Sequence, residues 1–268
     1  MNENISSSFT VNNVFFKHAS GNIGISENIF HSDFELFLVY KGTVDCLYNN
    51  APYRLSPLTL VLIPPGVYHR FIPDDNGENF ERFIFEFPPS KLDGLVSAAE
   101  FEKKRFINLK SDDEIVHIFE KIVYYYANCN SAEFEILFQA LFNEIILLTN
   151  HTVPLILNST NTLNPLTRNA LNFISENIDT HFSLQSLADS LYCSVSSLCH
   201  HFKADLGLSV QKFIVQKRLY QARALLLSGV RPNTVWEACG FPDYICFFRT
   251  YKKTFGVTPS NDYLRKKS

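Results

Sequence analysis

The sequence predicts two domains: an all-β barrel continued by an α-helical hairpin, then an all-α domain with two helix-turn-helix units joined by a long helix. Three observations predict this. The hydrophobic pattern changes near residue 112 from short strand-like runs to helical spacing. The charge changes sign, because residues 1–164 hold 11 Lys+Arg against 20 Asp+Glu, a net of −9, whereas residues 165–268 hold 13 against 7, a net of +6. A unit of about 49 residues also recurs within the basic half.

From about Phe9 to Pro88, runs of Val, Ile, Phe and Tyr alternate with turn residues every ten or so positions. Phe34 to Tyr40, Thr43 to Tyr48, Thr59 to Ile63 and Arg82 to Phe87 read as strands. Lys41-Gly42, Asn49-Asn50, Pro64-Pro65-Gly66 and Asp74 to Gly77 supply the turns between them. Such regular short strands point to a barrel or sandwich. A helix then starts at Asp112-Asp113-Glu114, whose charges suit a first turn, and carries Ile115, Phe119, Ile122 and Val123 on one stripe. Asn128 to Ser131 turns the chain into a second helix, about Ala132 to Leu148. Phe142, Ile146 and Leu147 widen its apolar surface beyond one face, which suits either packing on the barrel or a dimer contact. Residues 149–165, rich in Asn, Thr and Pro, read as a linker between a domain of residues 1–148 and one of residues 166–268.

In the basic half, Leu184, Leu187, Ala188 and Leu191 fall at helical spacing behind Ser183, a suitable N-cap. Tyr192-Cys193 turns, Ser194 caps the next helix, and Val195, Leu198 and Phe202 continue the stripe. A helix of about Val210 to Leu227 follows. The unit then recurs, with Val235 and Cys239, the turn Gly240-Phe241-Pro242, Asp243 as cap, and Phe247 and Tyr251 on the next stripe. Gly207 and Gly256 stand after the second helix of each unit, where a left-handed C-terminal cap is expected. A connecting helix of about 18 residues spans roughly 27 Å at ~1.5 Å per residue. Successive major grooves on one face of DNA lie roughly 34 Å apart, so both units can reach adjacent grooves.

These residues resemble the AraC/XylS-type transcriptional regulators. The marks are Leu187-Ala188, Leu198, Phe202-Lys203, Gly207, Arg218, Ala222, Gly240-Phe241, Phe247, Arg249, Lys252-Lys253, Gly256 and Thr258-Pro259-Ser260. The resemblance implies that Ser196, Cys199 and His200 face double-stranded DNA from the first unit, and Tyr244, Ile245, Phe248 and Arg249 from the second. Arg249 suits guanine or phosphate, while Lys203, Lys252 and Lys253 suit phosphate. Ile245 and Phe248 suit either thymine methyls or packing. Three residues depart from the family: Trp236 stands for a small residue, His201 for an apolar one and His200 for a permanently charged one.

The acidic half resembles a cupin-type jelly-roll sensor, through His31-x3-Glu35-x6-Gly42 and Pro64-x-Gly66-x2-His69. Metal-binding members begin the first motif with a further His, at the place of Ile29, and end the second on Asn, at the place of Pro73. His31 and Glu35 share a face if their strand is unbroken. With His69 they are metal ligands, effector contacts or structural residues; effector contact is the reading adopted, with no metal and no cofactor assigned. Tyr40, Arg70, Arg82, Phe37 and Phe85 are expected to add to an effector pocket.

The remaining composition excludes other classes. A chain of 268 residues with 46% hydrophobic and 19% charged residues is globular. No apolar run reaches the ~18 residues of a membrane span, and the start shows no basic patch before an apolar stretch, so a cytoplasmic protein is expected. The six Cys form no C-x-x-C pair and read as reduced thiols. No nucleophile–base constellation or phosphate-binding Gly loop is present, so the expectation is no enzyme but a ligand-responsive, DNA-binding transcriptional regulator. Activation is the family's commoner mode, and RNA polymerase and a second copy of the chain are further candidate partners. The alternatives are a metal-dependent cupin enzyme and a regulator whose barrel makes only protein contacts.

Overall fold

The Val-, Ile- and Phe-rich runs of the first half pair as antiparallel strands. In the computed structural model, which describes residues 3–22, 30–160 and 163–265, the strands are β1 (Asn4–Val11), β2 (Val14–Ser20), β3 (Phe34–Lys41), β4 (Val44–Tyr48), β5 (Ala51–Leu55), β6 (Thr59–Ile63), β7 (His69–Pro73), β8 (Glu81–Phe87) and β9 (Phe106–Asn108). Six of them form one sheet in the order β1-β2-β8-β3-β6-β9, and three form a second, β5-β4-β7. Helices α1 (Ala98–Phe101), α2 (Glu114–Asn128) and α3 (Ser131–His151) complete this part. The strands read from sequence correspond to β3, β4, β6 and β8, each within a residue at either end.

Strand β3 is buried on both faces from Phe34 to Val39. Phe37 and Val39 join Cys46, Tyr48, Val61, Ile63 and Phe71 in an interior enclosed by the two sheets. Phe34, Leu36 and Leu38 join Phe83, Phe85 and Phe87 against Phe119 of α2 and Phe138 and Phe142 of α3. Fully burying one such aromatic or aliphatic side chain stabilises by about 1.5–3 kcal/mol, so the hairpin is an integral layer. Phe142 and Ile146, read as surplus apolar surface on the second helix, are fully buried in this layer, whereas Leu147 is exposed.

The expected linker is shorter than residues 149–165. Thr149 is fully buried in the last turns of α3. Beyond the helix the Leu155 N–H bonds the Phe106 carbonyl at 2.6 Å and the Thr160 N–H bonds the Pro52 carbonyl at 2.7 Å. Backbone carbonyls on β9 and β5, short outer strands, accept these bonds and hold the segment there. The chain divides into two units, residues 1–161 and 162–268.

The second unit is helical: α4 (Pro165–Glu176), α5 (Leu184–Ser190), α6 (Val195–Leu206), α7 (Val210–Ser228), α8 (Pro232–Ala238), α9 (Tyr244–Phe255) and α10 (Pro259–Arg265). Its punctuation is local chemistry. The side chains of Ser183, Ser194 and Asp243 each accept an N–H three residues on, at 3.0, 3.1 and 2.7 Å. Gly207 and Gly256 end α6 and α9 in the left-handed region, at φ 75° and 71°. The second pair closes over Leu219, Ala222 and Leu226 of α7 with Val235, Cys239, Phe247 and Tyr251. Among the described residues no helix is long and apolar enough to cross a membrane, and all six cysteines are free.

Candidate functional site

Two sites come from the sequence reading, and each lies within one unit. On α6, burying Leu198, Phe202 and Leu206 turns Ser196, Cys199, His200 and Lys203 to the opposite face. Ser196, His200 and Lys203 are exposed and Cys199 is half-buried. On α9, Phe247 and Tyr251 are fully buried, so Tyr244, Ile245, Phe248, Arg249 and Lys252 share the outer face. Ile245 is 61% exposed, which removes the packing alternative for it. Phe248 is half-buried, with its ring 5.9 Å from that of Tyr244. Arg249, Lys252 and Lys253 are exposed. Lys203, Lys252 and Lys253 also sit in the last turns of their helices, where a cation offsets the helix dipole.

Two of the three departures from the family pattern, Trp236 and His201, have polar partners within the unit. The Trp236 indole N–H bonds the Asn233 carbonyl of its own helix at 3.0 Å, with the ring half-buried at the rim of the second core. His201 lies 3.3 Å from the Asn164 amide, whose carbonyl oxygen caps α4 by accepting the Leu166 N–H at 2.9 Å. Helix α4 itself was readable, since Asn164-Pro165 is an N-cap followed by a first-turn proline.

In the β unit, His31, Glu35 and His69 come together and the other expected residues do not. Glu35 is buried on β3, and His69 opens β7 across the interior. His31 precedes β3 instead of lying on it, so a shared strand face is not what unites it with Glu35. Its backbone is held by the Gly66 N–H, which bonds the His31 carbonyl at 2.9 Å; Gly66 turns there at φ 75°. The His31 Nδ1–H donates to the Asp33 carbonyl at 2.7 Å, and the His69 Nδ1–H to the Val67 carbonyl at 3.1 Å. The two Nε2 atoms thereby face one oxygen of Glu35, at 2.8 and 3.3 Å.

Burial opposes ionisation of Glu35, yet the charge of His69 and hydrogen bonds from both imidazoles hold its carboxyl down at about 2. For His31 burial likewise disfavours charge, and the Glu35 carboxylate outweighs it and raises the imidazole. Glu86, cross-strand to Glu35, is raised by burial and by the Glu35 charge.

Tyr40 points the other way, to the helical layer, and its hydroxyl bonds Glu120 of α2 at 2.6 Å. Phe85 also belongs to that layer, while Phe37 lies in the interior, stacked 3.8 Å from Phe71. Arg70 alternates with His69 and Phe71 and so occupies the outer face of β7. Arg82 is buried but lies four residues from Glu86 on β8, about 13 Å away at ~3.3 Å per residue. It bonds Glu3 and the Gly21 carbonyl. A pocket of about 210 Å³ at that other end is lined by Gly42, Thr43, Asp74 and Phe80, none of which the sequence singled out for binding. Ile29 lies outside the described residues.

Comparison with known proteins agrees with this division. A family described as "AraC-like ligand binding domain" matches residues 26–143, and a "Helix-turn-helix domain" family matches residues 187–265. The chain is 38% identical over 95 residues to the arabinose operon regulatory protein of Salmonella typhimurium strain LT2, covering 35% of this chain and 34% of that protein. It is 27% identical over 96 residues to the xylose operon regulatory protein of Escherichia coli K12, covering 35% and 24%. The chain thus spans about a third or less of the curated relatives it matches, and these are regulatory proteins, not enzymes. Among solved structures, the C-terminal domain of the response regulator yesN from Fusobacterium nucleatum is 30% identical, covering 35% of this chain and 93% of that one at a TM-score of 0.34. The chain thus carries a match to an AraC-like ligand binding domain followed by a match to a helix-turn-helix domain, the order of the AraC/XylS-type regulators that its motifs resemble.

Proposed function

We propose that this protein is a sequence-specific, DNA-binding transcriptional regulator whose β unit responds to a small-molecule effector. The observation that carries the reading is the outer face of α9, where Arg249 and Lys252 flank the exposed Ile245 on a helix anchored by buried Phe247 and Tyr251. A guanidinium, an ammonium and an apolar side chain on one face match guanine, phosphate and the thymine methyl group. The α6 face with Ser196, Cys199, His200 and Lys203 docks in the neighbouring groove. Helix α7, 19 residues long, spans about 28 Å at ~1.5 Å per residue and supports that spacing. Residues 1–148 sense, residues 166–268 bind DNA, and the segment between joins them. Effector binding changes occupancy only through different affinities for two states of the chain. A second copy of the chain, contact with RNA polymerase and activation belong to the same proposal.

The test is selection of bound duplexes from a random pool by the full chain at two salt concentrations. Enrichment of two short blocks about one helical turn apart, weakened by salt, is expected. Sequence-blind binding that survives Arg249→Ala overturns the reading.

A further inference from the structure

We propose that the Tyr192 hydroxyl donates a hydrogen bond to a phosphate of the DNA backbone, at the edge of the groove that α6 enters. The contact rests on the DNA-binding reading above and adds to it a residue that the sequence marks only as part of a turn. Helix α5 ends in a turn closed by two backbone bonds, from the Cys193 N–H to the Ala188 carbonyl at 3.0 Å and from the Tyr192 N–H to the Asp189 carbonyl at 3.1 Å. Such a turn needs one residue in the left-handed region, and Tyr192 stands there at φ 54°. Helix α8 ends in the same turn, with the Phe241 N–H on the Trp236 carbonyl and the Gly240 N–H on the Glu237 carbonyl, both at 3.0 Å. There the left-handed residue is Gly240, at φ 70°. One chain thus builds the turn twice, once with the residue that adopts it without strain and once with a tyrosine.

The fold does not offset that strain. Tyr192 is 98% exposed, so among the described residues its ring and hydroxyl gain neither packing nor a partner. The other non-glycine residues at positive φ have a local reason. Asn12, Asn13, Asn49 and Asn50 are of the type that tolerates this region, and Leu58 packs on the core of the β unit. Neither reason applies to Tyr192. Strain kept without a gain in folding points to a contact outside the chain. Position selects the partner. Tyr192 precedes Ser194, the N-cap of α6, by two residues. In a helix-turn-helix the first helix crosses the DNA backbone and the N-terminal end of the second meets the base edges. The turn between them therefore lies against the phosphates that bound the groove. The exposed Ser196, His200 and Lys203 continue from it along α6. A phenol suits this place, because its hydroxyl donates to a phosphate oxygen and its flat ring covers the sugar with little rotamer freedom to lose.

The full chain is assayed by fluorescence anisotropy on a selected and a scrambled duplex over a range of salt, as native protein, Tyr192→Phe and Tyr192→Gly. A phosphate contact carries no sequence choice, so each variant should weaken both duplexes alike, by about 10-fold for Tyr192→Gly and about 3-fold or more for Tyr192→Phe. A neutral hydroxyl releases no counterion, so the slope with salt stays unchanged, unlike the loss of a lysine. In the free protein Tyr192→Gly should raise the melting temperature by about 2–4 °C, because strain is removed and no packing is lost. A more stable protein that binds DNA less well is a combination that a purely structural role does not produce. Ethylation of single phosphates locates the contact: one ethylated phosphate that weakens native binding should have no effect on Tyr192→Phe. A lowered melting temperature of Tyr192→Gly, or an unchanged ethylation pattern in Tyr192→Phe, overturns the contact. Regulation lost with DNA affinity intact assigns the turn to a protein partner and overturns it too. Native binding that survives both substitutions overturns the contact alone, whereas a native chain that binds neither duplex overturns the DNA-binding reading and the contact with it.

Discussion

Glu35 of β3 and Glu86 of β8 stand directly opposite one another in the ladder that joins the two strands. Burial, then the charge of Glu35, raises the Glu86 carboxyl above its ordinary range. A carboxyl that protonates more readily in the folded state opposes folding while ionised, and this penalty fades as pH falls through the raised value. Glu86→Gln is therefore expected to raise the melting temperature of the protein at pH 7, by roughly 1–3 °C. The gain should vanish below pH 4. A gain that persists at low pH would show that packing, not charge, is its origin.

Glu35 has the opposite sign. Its folded value of about 2 lies below the ordinary 4.5, so its contribution is present above pH 4.5 and is lost as pH falls toward 2. His31, raised from 6.5, contributes below that value and loses its contribution as pH rises through the folded one. The cluster thus stabilises most between pH 5 and 6. Glu35→Gln should cost about 3 kcal/mol there, measured by urea unfolding, and much less at pH 3. A cost that does not change with pH would place the effect in shape instead of charge.

Which of these features the sequence shows depends on how local their causes are. The caps Ser183, Ser194 and Asp243, the C-terminal glycines and the stripe of Leu198 and Phe202 act within a few residues, so both helix-turn-helix units were readable in order and extent. The motifs around His31, Glu35 and His69 were readable as residues, and the turn at Gly66 that brings them together is itself local. Facing was not readable. From Phe34 to Val39 every residue is buried, so β3 shows no polar alternation to separate interior from helix-facing positions, and Tyr40 and Phe85 were assigned to the wrong face. Strand β9 has three residues, too few for any period, and exists because Val61 offers it a partner. His201 looked anomalous because its partner, Asn164, is 37 residues away.

Asp262 is fully buried and ties three helices: it accepts the Tyr251 hydroxyl of α9 at 2.7 Å and the Arg223 Nε–H of α7 at 3.0 Å. Removing one side of a buried pair leaves the other charge without compensation, a loss of about 3–5 kcal/mol. Asp262→Ala should therefore loosen the second helix-turn-helix unit and abolish its half of the DNA site. Hydrogen exchange would show protection lost in α9 and α10 and kept in α6. Uniform loss across the unit would mean that the two repeats unfold as one.

Gly240 turns the chain from α8 toward α9 at φ 70°, and a Cβ there would lie 2.8 Å from the carbonyls of Ile178 and Thr180. Those carbonyls are already taken by the buried Arg218, at 3.0 and 2.6 Å, so neither can retreat without breaking a charge-assisted bond. Gly240→Ala combines left-handed strain with this clash and should cost about 2 kcal/mol or more, read by urea unfolding. A cost below about 0.5 kcal/mol would show that the loop at residues 178–180 moves freely.

The outer face of α9 separates affinity from choice. Arg249 lies mid-helix beside Ile245, where base edges are expected, and Lys252 and Lys253 lie in the last turn, nearer the backbone. A base contact by arginine is worth about 1–3 kcal/mol at one position, whereas a phosphate contact changes the salt slope by about one and leaves sequence choice alone. Arg249→Ala should thus weaken the selected site and spare non-specific duplex, bringing the two closer. Lys252→Ala with Lys253→Ala should weaken both alike and flatten the dependence on salt by about two. The measurement is fluorescence anisotropy on selected and scrambled duplexes from low to high salt. If Arg249→Ala also weakens both duplexes equally, Arg249 binds phosphate, and the base-reading role on this helix passes to Tyr244 and Ile245 at its exposed N-terminal end.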